Sequence, residues 1–180
     1  VIEKAAELID MSKHSGEHPR MGATDVCPFV PISGVTMEDC IQVAHELGKR
    51  VGAELGIPGY HYESAAHTPE RKNLAFCRKG EYEGLEKLSS DEFRPDFGPS
   101  AFNDRARKTG ATAIGARDFL VAYNININST SSRRANAIAF DIREAGRMMR
   151  EGGKVSGKIM KDANGAPVRQ PGTLKSVKGI

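Results

Sequence analysis

Apolar residues recur every three or four positions in three parts of the chain, and this spacing predicts amphipathic helices. The first helix covers residues 1–11 and has no N-cap residue before it, so we expect the chain to be a fragment of a longer polypeptide. The second begins after Thr36, an N-cap residue with Asp39 at the third helical position, and ends at Gly56. The third follows the Ser-rich segment 129–132.

Strands are predicted where β-forming residues cluster or alternate with polar ones, at residues 24–32, 59–63 and 119–128. Pro28 and Pro31 lack an N–H donor, so the first of these should be an edge strand or be bulged. The last contains YNININ, which places three isoleucine or tyrosine side chains on one face and three asparagines on the other. Because asparagine is a poor strand former, that face is either a polar cleft wall or a tolerated exposed surface.

Shorter elements complete the pattern. Short helices are predicted at residues 69–78 and 80–88, and a long irregular loop at 89–115. A hairpin turn at 164–165 and a final strand at 174–180 follow the third helix. The order of elements predicts an α+β fold, a mixed β-sheet with helices packed on one face as in a ferredoxin-like sandwich.

Composition narrows the classes of protein. The 180 residues are 39% apolar and 27% charged, which fits a folded globular domain. The net charge is only +3. The positive charge is concentrated in the segment 143–180, which has nine Lys or Arg against three Asp or Glu. No aromatic residue follows Phe140, so this segment offers no stacking platform for bases, and a nucleic-acid partner is not expected.

The cysteines and the hydropathy bear on location. Cys27, Cys40 and Cys77 are odd in number and show no paired spacing, so neither a disulfide framework nor a cysteine metal site is expected. Free thiols suit a reducing compartment, and we expect the protein to be cytoplasmic. No apolar run approaches the length of a membrane span, so no membrane partner is expected.

The segment HSGEHPRMG (residues 14–22) contains the H-x-x-E-H pattern of some zinc proteases. That pattern needs a helix to bring His14 and His18 together, but Gly16 weakens a helix and Pro19 disfavours helical dihedrals at His18. We therefore expect a loop without metal. In such a loop, His18 is the leading candidate for proton transfer, with an ordinary exposed histidine as the alternative.

Other candidate residues are less specific. Arg20 offers a bidentate fork for a carboxylate, or is a surface charge. The segment 96–110 combines turn residues and cations and either cradles an anion or is a mobile surface loop. The remaining histidines, His45, His61 and His67, are in settings that predict no function.

Taken together, these segments resemble the formiminotransferase N-terminal subdomain, found in glutamate formiminotransferase and in the bifunctional formiminotransferase-cyclodeaminase. The block around EHPRMGATDVCPF is long and specific, and the matching stretches follow the family order over nearly the whole chain. They are LIDMSKHSGEHPRMGATDVCPFVPISGV, the helix from Met37 to Gly56, GEYEGLEKL, PDFGPSAF, TGATAIGARDFLVAYNIN, IREAGR and LKSVKGI.

The resemblance implies an activity and its residues. Family members transfer the formimino group of N-formimino-L-glutamate to N5 of tetrahydrofolate in histidine degradation, tend to be homodimers, and need no metal. The catalytic base of the HPRMGA motif corresponds to His18. The folate-binding segment begins at GPS and runs past Phe102, which implicates Gly98, Pro99, Ser100, Ala101, Phe102 and Gly110. We add Arg20 and Arg117 as carboxylate clamps, and Asn124 and Asn126 as walls of the substrate tunnel.

The resemblance also implies boundaries. Residues 1–180 would be the N-terminal subdomain without its first strands, and the C-terminal subdomain would be absent. The segment NDRARK is longer than in animal enzymes, so family contacts there do not transfer. Formimino and formyl donors carry the same glutamate carboxylates, so the sequence does not distinguish between these two donors. The alternative function is a folate- or anion-binding module of the same fold without catalysis.

Overall fold

The structure, a computed structural model, describes residues 1–16, 18–154 and 156–175. Its internal contacts divide the chain into two units, Val1–Val121 and Ala122–Ile180, and each is described by itself. The helices are α1 (Ile2–Leu8), α2 (Met37–Arg50), α3 (Leu74–Cys77), α4 (Asp104–Thr109) and α5 (Ser132–Ile142). The strands are β1 (Val26–Phe29), β2 (Gly59–Glu63), β3 (Thr112–Ala116), β4 (Arg147–Met148) and β5 (Arg169–Gln170).

The first unit is built on a three-stranded parallel sheet with the order β1-β3-β2. The central strand β3 is buried at all of its residues, TAIGA. It contains only one side chain larger than threonine because its surroundings leave little space. A Cβ on Gly115 would lie 2.4 Å from the carbonyl oxygen of Tyr62. The close packing of β2 on β3 therefore selects glycine at this position.

Successive residues of β3 point to opposite faces, and each face supports its own apolar cluster. The face covered by α2 and the π-helical turn Val51–Leu55 has the cluster Ala6, Cys40, Ala44, Val51, Ile57, Ala65, Phe97, Ile114 and Ala116. The opposite face is covered by α3, α4 and a 3₁₀ segment, Glu83–Lys87. Its cluster is Met21, Tyr60, Tyr62, Cys77, Leu85, Leu88, Ala106, Ala111 and Ala113.

A capping box starts α2, as the sequence predicts. The hydroxyl of Thr36 accepts a hydrogen bond from the backbone N–H of Asp39 (3.2 Å). The Asp39 carboxylate in turn accepts from the backbone N–H of Thr36 (2.7 Å). Without these two side-chain acceptors, two backbone N–H groups at the start of the helix would have no partner.

Thr36→Ala is expected to lower the free energy of unfolding by about 1 kcal/mol, because one N-terminal donor of α2 loses its acceptor. Urea denaturation followed by circular dichroism measures the change. Ser131→Ala is the matched control: Ser131 is the N-cap of α5, but its side chain accepts no capping hydrogen bond. An equal loss of unfolding free energy in both variants would mean that the capping hydrogen bond of Thr36 does not stabilise α2.

The second unit contains α5 and the antiparallel pair β4–β5. A turn lies where the sequence predicts a hairpin, since the carboxylate of Asp162 accepts hydrogen bonds from the N–H groups of Asn164 and Ala166 (2.9 Å each). The predicted final strand at residues 174–180 lies largely outside the described residues. Among the described residues, no helix is both long and apolar enough to cross a membrane.

The predicted α+β class is confirmed. Among the described residues, however, the parallel and antiparallel pairs lie in separate sheets rather than in one mixed sheet, and helices cover both faces of the three-stranded sheet rather than one. The Pro-containing β1 is an edge strand as expected. Two predictions are wrong. Residues 119–128 are irregular and largely exposed rather than a strand, because no described strand pairs with their backbone donors and acceptors. The predicted loop 89–115 contains both α4 and the central strand β3.

Candidate functional site

The segment 14–22 is a loop at its exposed end, as predicted. His14 to Gly16 are not helical, Glu17 lies outside the described residues, and His18 is exposed. The ring nitrogen Nδ1 of His14 accepts a hydrogen bond from Arg20 Nε (3.4 Å). The helical geometry that a zinc protease motif needs is therefore not formed here.

Arg20 holds this loop in place. Its guanidinium forms ion pairs with Glu83 (2.9 Å) and Glu81 (3.2 Å), and it also donates to the carbonyl oxygen of His14 (3.1 Å). The hydrogen bond from Arg20 keeps the pKa of Glu83 below its usual value. Both ends of the loop that contains His18 are thus fastened to one largely buried side chain.

The loop crosses the end of the predicted folate-binding segment at two glycines. Gly22 and Gly110 form an antiparallel bridge, and the N–H of Ala23 donates to the carbonyl oxygen of Thr109 (2.8 Å). A Cβ on Gly110 would lie 2.1 Å from the carbonyl oxygen of Met21. Gly110 also has a φ of 66° and a ψ of −156°, a conformation adopted almost only by glycine. Glycine at both positions allows the two backbones to touch.

Asp25 supports the same loop from the start of β1. Its carboxylate accepts a hydrogen bond from the N–H of Met21 (2.8 Å) and forms an ion pair with Arg78. Asp25 therefore helps to position the backbone of the HPRMGA motif.

Tyr82 joins the loop to Phe102. Its N–H donates to the carbonyl oxygen of Arg20 (2.9 Å), and its ring centroid lies 5.9 Å from the Arg20 guanidinium carbon. The Tyr82 and Phe102 rings are 6.0 Å apart, and the Tyr82 hydroxyl donates to the carbonyl oxygen of Arg107 (2.6 Å). Sequence analysis did not single out Tyr82, although it lies within the stretch GEYEGLEKL that matches the family.

The other end of the predicted folate segment lines a different surface. Gly98 and Pro99 border an open cleft of about 840 Å³ between α2, β2 and the start of α4. Ser100 and Ala101 are exposed between this cleft and Phe102. The segment predicted to bind folate therefore runs from the cleft to the loop that contains His18.

Comparison with known proteins identifies the first unit. Residues 1–117 match the family model described as "Formiminotransferase domain, N-terminal subdomain", and residues 122–180 match that of the "Formiminotransferase domain". The chain belongs to the formiminotransferase family. The boundary between the matches coincides with that between the two structural units. That residues 1–180 form one N-terminal subdomain stays a prediction.

Individual relatives are similar over most of the chain. "Formimidoyltransferase-cyclodeaminase" from Mus musculus is 50% identical over 98% of the chain, which spans 28% of that relative. "Glutamate formimidoyltransferase" from Streptococcus pyogenes serotype M1 is 48% identical over 81% of the chain, which spans 48% of it. The same-named protein from Thermoplasma acidophilum is 51% identical over 79% of the chain, which spans 46% of it. The chain thus spans at most about half the length of these relatives.

The remaining predicted site residues of this formiminotransferase chain lie elsewhere. Arg117 follows β3, where its N–H donates to the carbonyl oxygen of Phe29 (3.0 Å). Asn124 and Asn126 are exposed in the irregular segment after β3 and belong to the second unit. No described strand aligns their amides, and their place in the wall of a substrate tunnel stays a prediction.

The open cleft contains residues that sequence analysis passed over. His45, His61 and His67 line it beside Gly98 and Pro99. They come from three different elements with no regular spacing, so neither a helical nor a strand period could have grouped them. Cys27 in β1 is partly buried, and this burial raises the pKa of its thiol.

Proposed function

We propose that the chain is part of a glutamate formimidoyltransferase, which transfers the formimino group of N-formimino-L-glutamate to N5 of tetrahydrofolate with His18 as general base and acid. The relatives named glutamate formimidoyltransferase support the reaction class. The exposed imidazole on a fastened loop supports the choice of residue.

In the proposed reaction, N5 of tetrahydrofolate attacks the amidine carbon and loses its proton to His18. The tetrahedral intermediate then breaks its bond to the glutamate nitrogen, which takes that proton back from the imidazolium. An imidazole ring can both accept and donate a proton, so one side chain can do both steps in turn. Holding two substrates together would supply much of the rate enhancement.

The observation that carries this proposal is the contact between the HPRMGA loop and the end of the folate segment. Gly22 and Gly110 touch through their backbones, and Tyr82 lies between Arg20 and Phe102. A folate bound along residues 98–110 would thus end within reach of the loop that presents His18. This contact supports the proposal because it joins the segment proposed to supply the base to the segment proposed to bind the acceptor.

Both substrates have carboxylates, and we propose Arg20 and Arg117 as their partners. Arg20 already binds Glu83, whose side chain is largely exposed, so a substrate carboxylate would bind by replacing that ion pair. Exchange of one carboxylate for another costs little because the charge on Arg20 stays neutralised throughout.

The setting of the reaction belongs to the same proposal. Histidine degradation would supply formiminoglutamate, the enzyme would be a cytoplasmic homodimer, and residues 1–180 would contribute the wall that contains His18. The free, mostly buried thiols of Cys27, Cys40 and Cys77 fit a reducing compartment.

The test is glutamate release by the full-length protein from N-formimino-L-glutamate, with and without tetrahydrofolate. We expect release only when tetrahydrofolate is present. N-formyl-L-glutamate, tested in parallel, separates the two possible donors. Folate binding without glutamate release from either donor would contradict the proposal and favour the non-catalytic binding module.

A further inference from the structure

Three histidines converge at the cleft from separate elements. His45 lies on α2, His61 on β2 and His67 in the turn that follows β2. Their ring centroids are separated by 4.6, 4.8 and 5.0 Å, and one ligand nitrogen from each lies within 4.8 Å of the others. Three imidazoles in mutual contact bring three potential nitrogen ligands to one place in the cleft.

His61 is buried and has a ring nitrogen without a hydrogen-bond partner in the part of the chain that the structure describes. It is only 4% exposed, and its Nδ1 has no hydrogen-bond partner among the described residues. Its ring fits because residue 48 is glycine, since a Cβ there would lie 2.5 Å from His61 Cε1. A buried ring nitrogen that has no hydrogen-bond partner is available to bind a metal ion.

His45 has its orientation fixed from outside the cluster. Its Nε2 lies 2.8 Å from the carbonyl oxygen of Ala65. A carbonyl oxygen only accepts, so Nε2 carries the proton and the free electron pair is on Nδ1. Histidine ligands of metal ions commonly donate their second N–H to a carbonyl group in this way.

We propose that His45, His61 and His67 form a binding site for a zinc-like divalent ion. Nitrogen ligands on a tetrahedral ion with bonds of ~2.0–2.1 Å lie roughly 3.3 Å apart. The rings therefore need to draw together by about 1.5 Å or less. A change of rotamer in the exposed His67 can shorten its distances to His45 and His61, and the distance between His45 and His61 needs a small shift of those two rings. All three line the cleft, so a fourth ligand, water or a carboxylate, would come from the cleft.

The charges around the cluster select the kind of ion. Lys49 and Arg105 line the same cleft. Asp96 also lines it, but its carboxylate is already engaged, since it forms an ion pair with Arg71 and accepts a hydrogen bond from the backbone N–H of His61 (2.8 Å). Magnesium and calcium prefer oxygen ligands and would find a cationic surface. Imidazole ligands suit zinc, cobalt, nickel and copper, whose bonds to nitrogen can outweigh the nearby positive charge.

The ion would fasten α2, β2 and the following turn to one another, beside Gly98 and Pro99. The proposed formimino transfer routes no step through a metal, so this inference does not depend on the proposed function. It places a metal site at the cleft rather than in the H-x-x-E-H segment where the sequence pattern had suggested one.

The test is isothermal titration of the chelator-treated, untagged full-length protein with ZnCl₂, with His67→Gln and His14→Gln as matched variants. His67 and His14 are both exposed, so neither substitution removes buried packing. We expect His67→Gln to lose one high-affinity zinc per chain, or to bind it at least about a hundredfold more weakly, more than a lost outer-shell contact costs. His14→Gln should bind as the wild type does.

A cobalt titration distinguishes the ligands. Co²⁺ in the proposed site gives visible d–d bands without the thiolate charge-transfer band that Cys27, Cys40 or Cys77 would produce. Zinc should also raise the melting temperature of the wild type but not of His67→Gln. Equal zinc binding by wild type and His67→Gln, a thiolate band, or no binding in the micromolar range would each overturn the proposal.

Discussion

His18→Ala in the full-length protein is expected to lower kcat for glutamate release by about 10²–10⁴-fold, the usual contribution of a general acid–base side chain. The substitution removes the only group proposed to take the proton from N5 and return it to the departing nitrogen. Because His18 is exposed, its loss should leave the unfolding midpoint unchanged. Steady-state kinetics, with circular dichroism as the folding check, measures both effects.

Two further readouts separate a base from a structural residue. Added imidazole should restore part of the activity of His18→Ala, and the variant should lose one limb of the pH–rate profile of the wild type. A variant with a raised KM but an unchanged kcat would place His18 in binding only. Equal kcat in both proteins would move the base to another residue.

Gly110→Ala is expected to lower the free energy of unfolding by at least about 3 kcal/mol, among the largest effects of a single substitution. The new Cβ would lie 2.1 Å from the Met21 carbonyl oxygen and 2.5 Å from Gly22 Cα, both backbone atoms that cannot rotate away. The alanine would also have to adopt a φ of 66° with a ψ of −156°. Urea denaturation of the variant measures the loss.

Gly34→Ala is the matched control for Gly110→Ala. Gly34 also has a positive φ, 69°, but a Cβ there meets nothing within 4 Å. Gly34→Ala should therefore lower the free energy of unfolding only by the strain of a positive φ, about 1–2 kcal/mol. Similar losses in the two variants would mean that the contact between the HPRMGA loop and Gly110 does not constrain the fold.

Local signals in the sequence were sufficient for several elements. The Thr36–Asp39 capping box located α2, and the prolines of residues 24–32 identified an edge strand. The central strand was missed because TAIGA has the small residues that its crowded position requires, not the β-branched pattern of a typical strand. Residues 119–128 have that pattern, but a strand also needs a neighbour, which single-sequence periodicity does not supply.

In the candidate site, too, local features could be predicted from the sequence and tertiary contacts could not. The loop around His18 follows from Gly16 and Pro19, which are neighbours in sequence. The partners of Arg20 could not be predicted because Glu81 and Glu83 are more than sixty residues away. The histidine cluster depends on how α2 packs on the sheet, a tertiary relationship that no local spacing records.

The strand order β1-β3-β2 has a consequence for the synthesis of the protein. The central strand is the last of the three in the chain, so Val26 can pair with Ala113 only after residue 113 has left the ribosome. Until then, β1 and β2 have no partner among the strands that the structure describes, and their backbone donors and acceptors are available to other chains. The nascent polypeptide should therefore bind chaperones until about residue 116 is exposed, and collapse cooperatively afterwards.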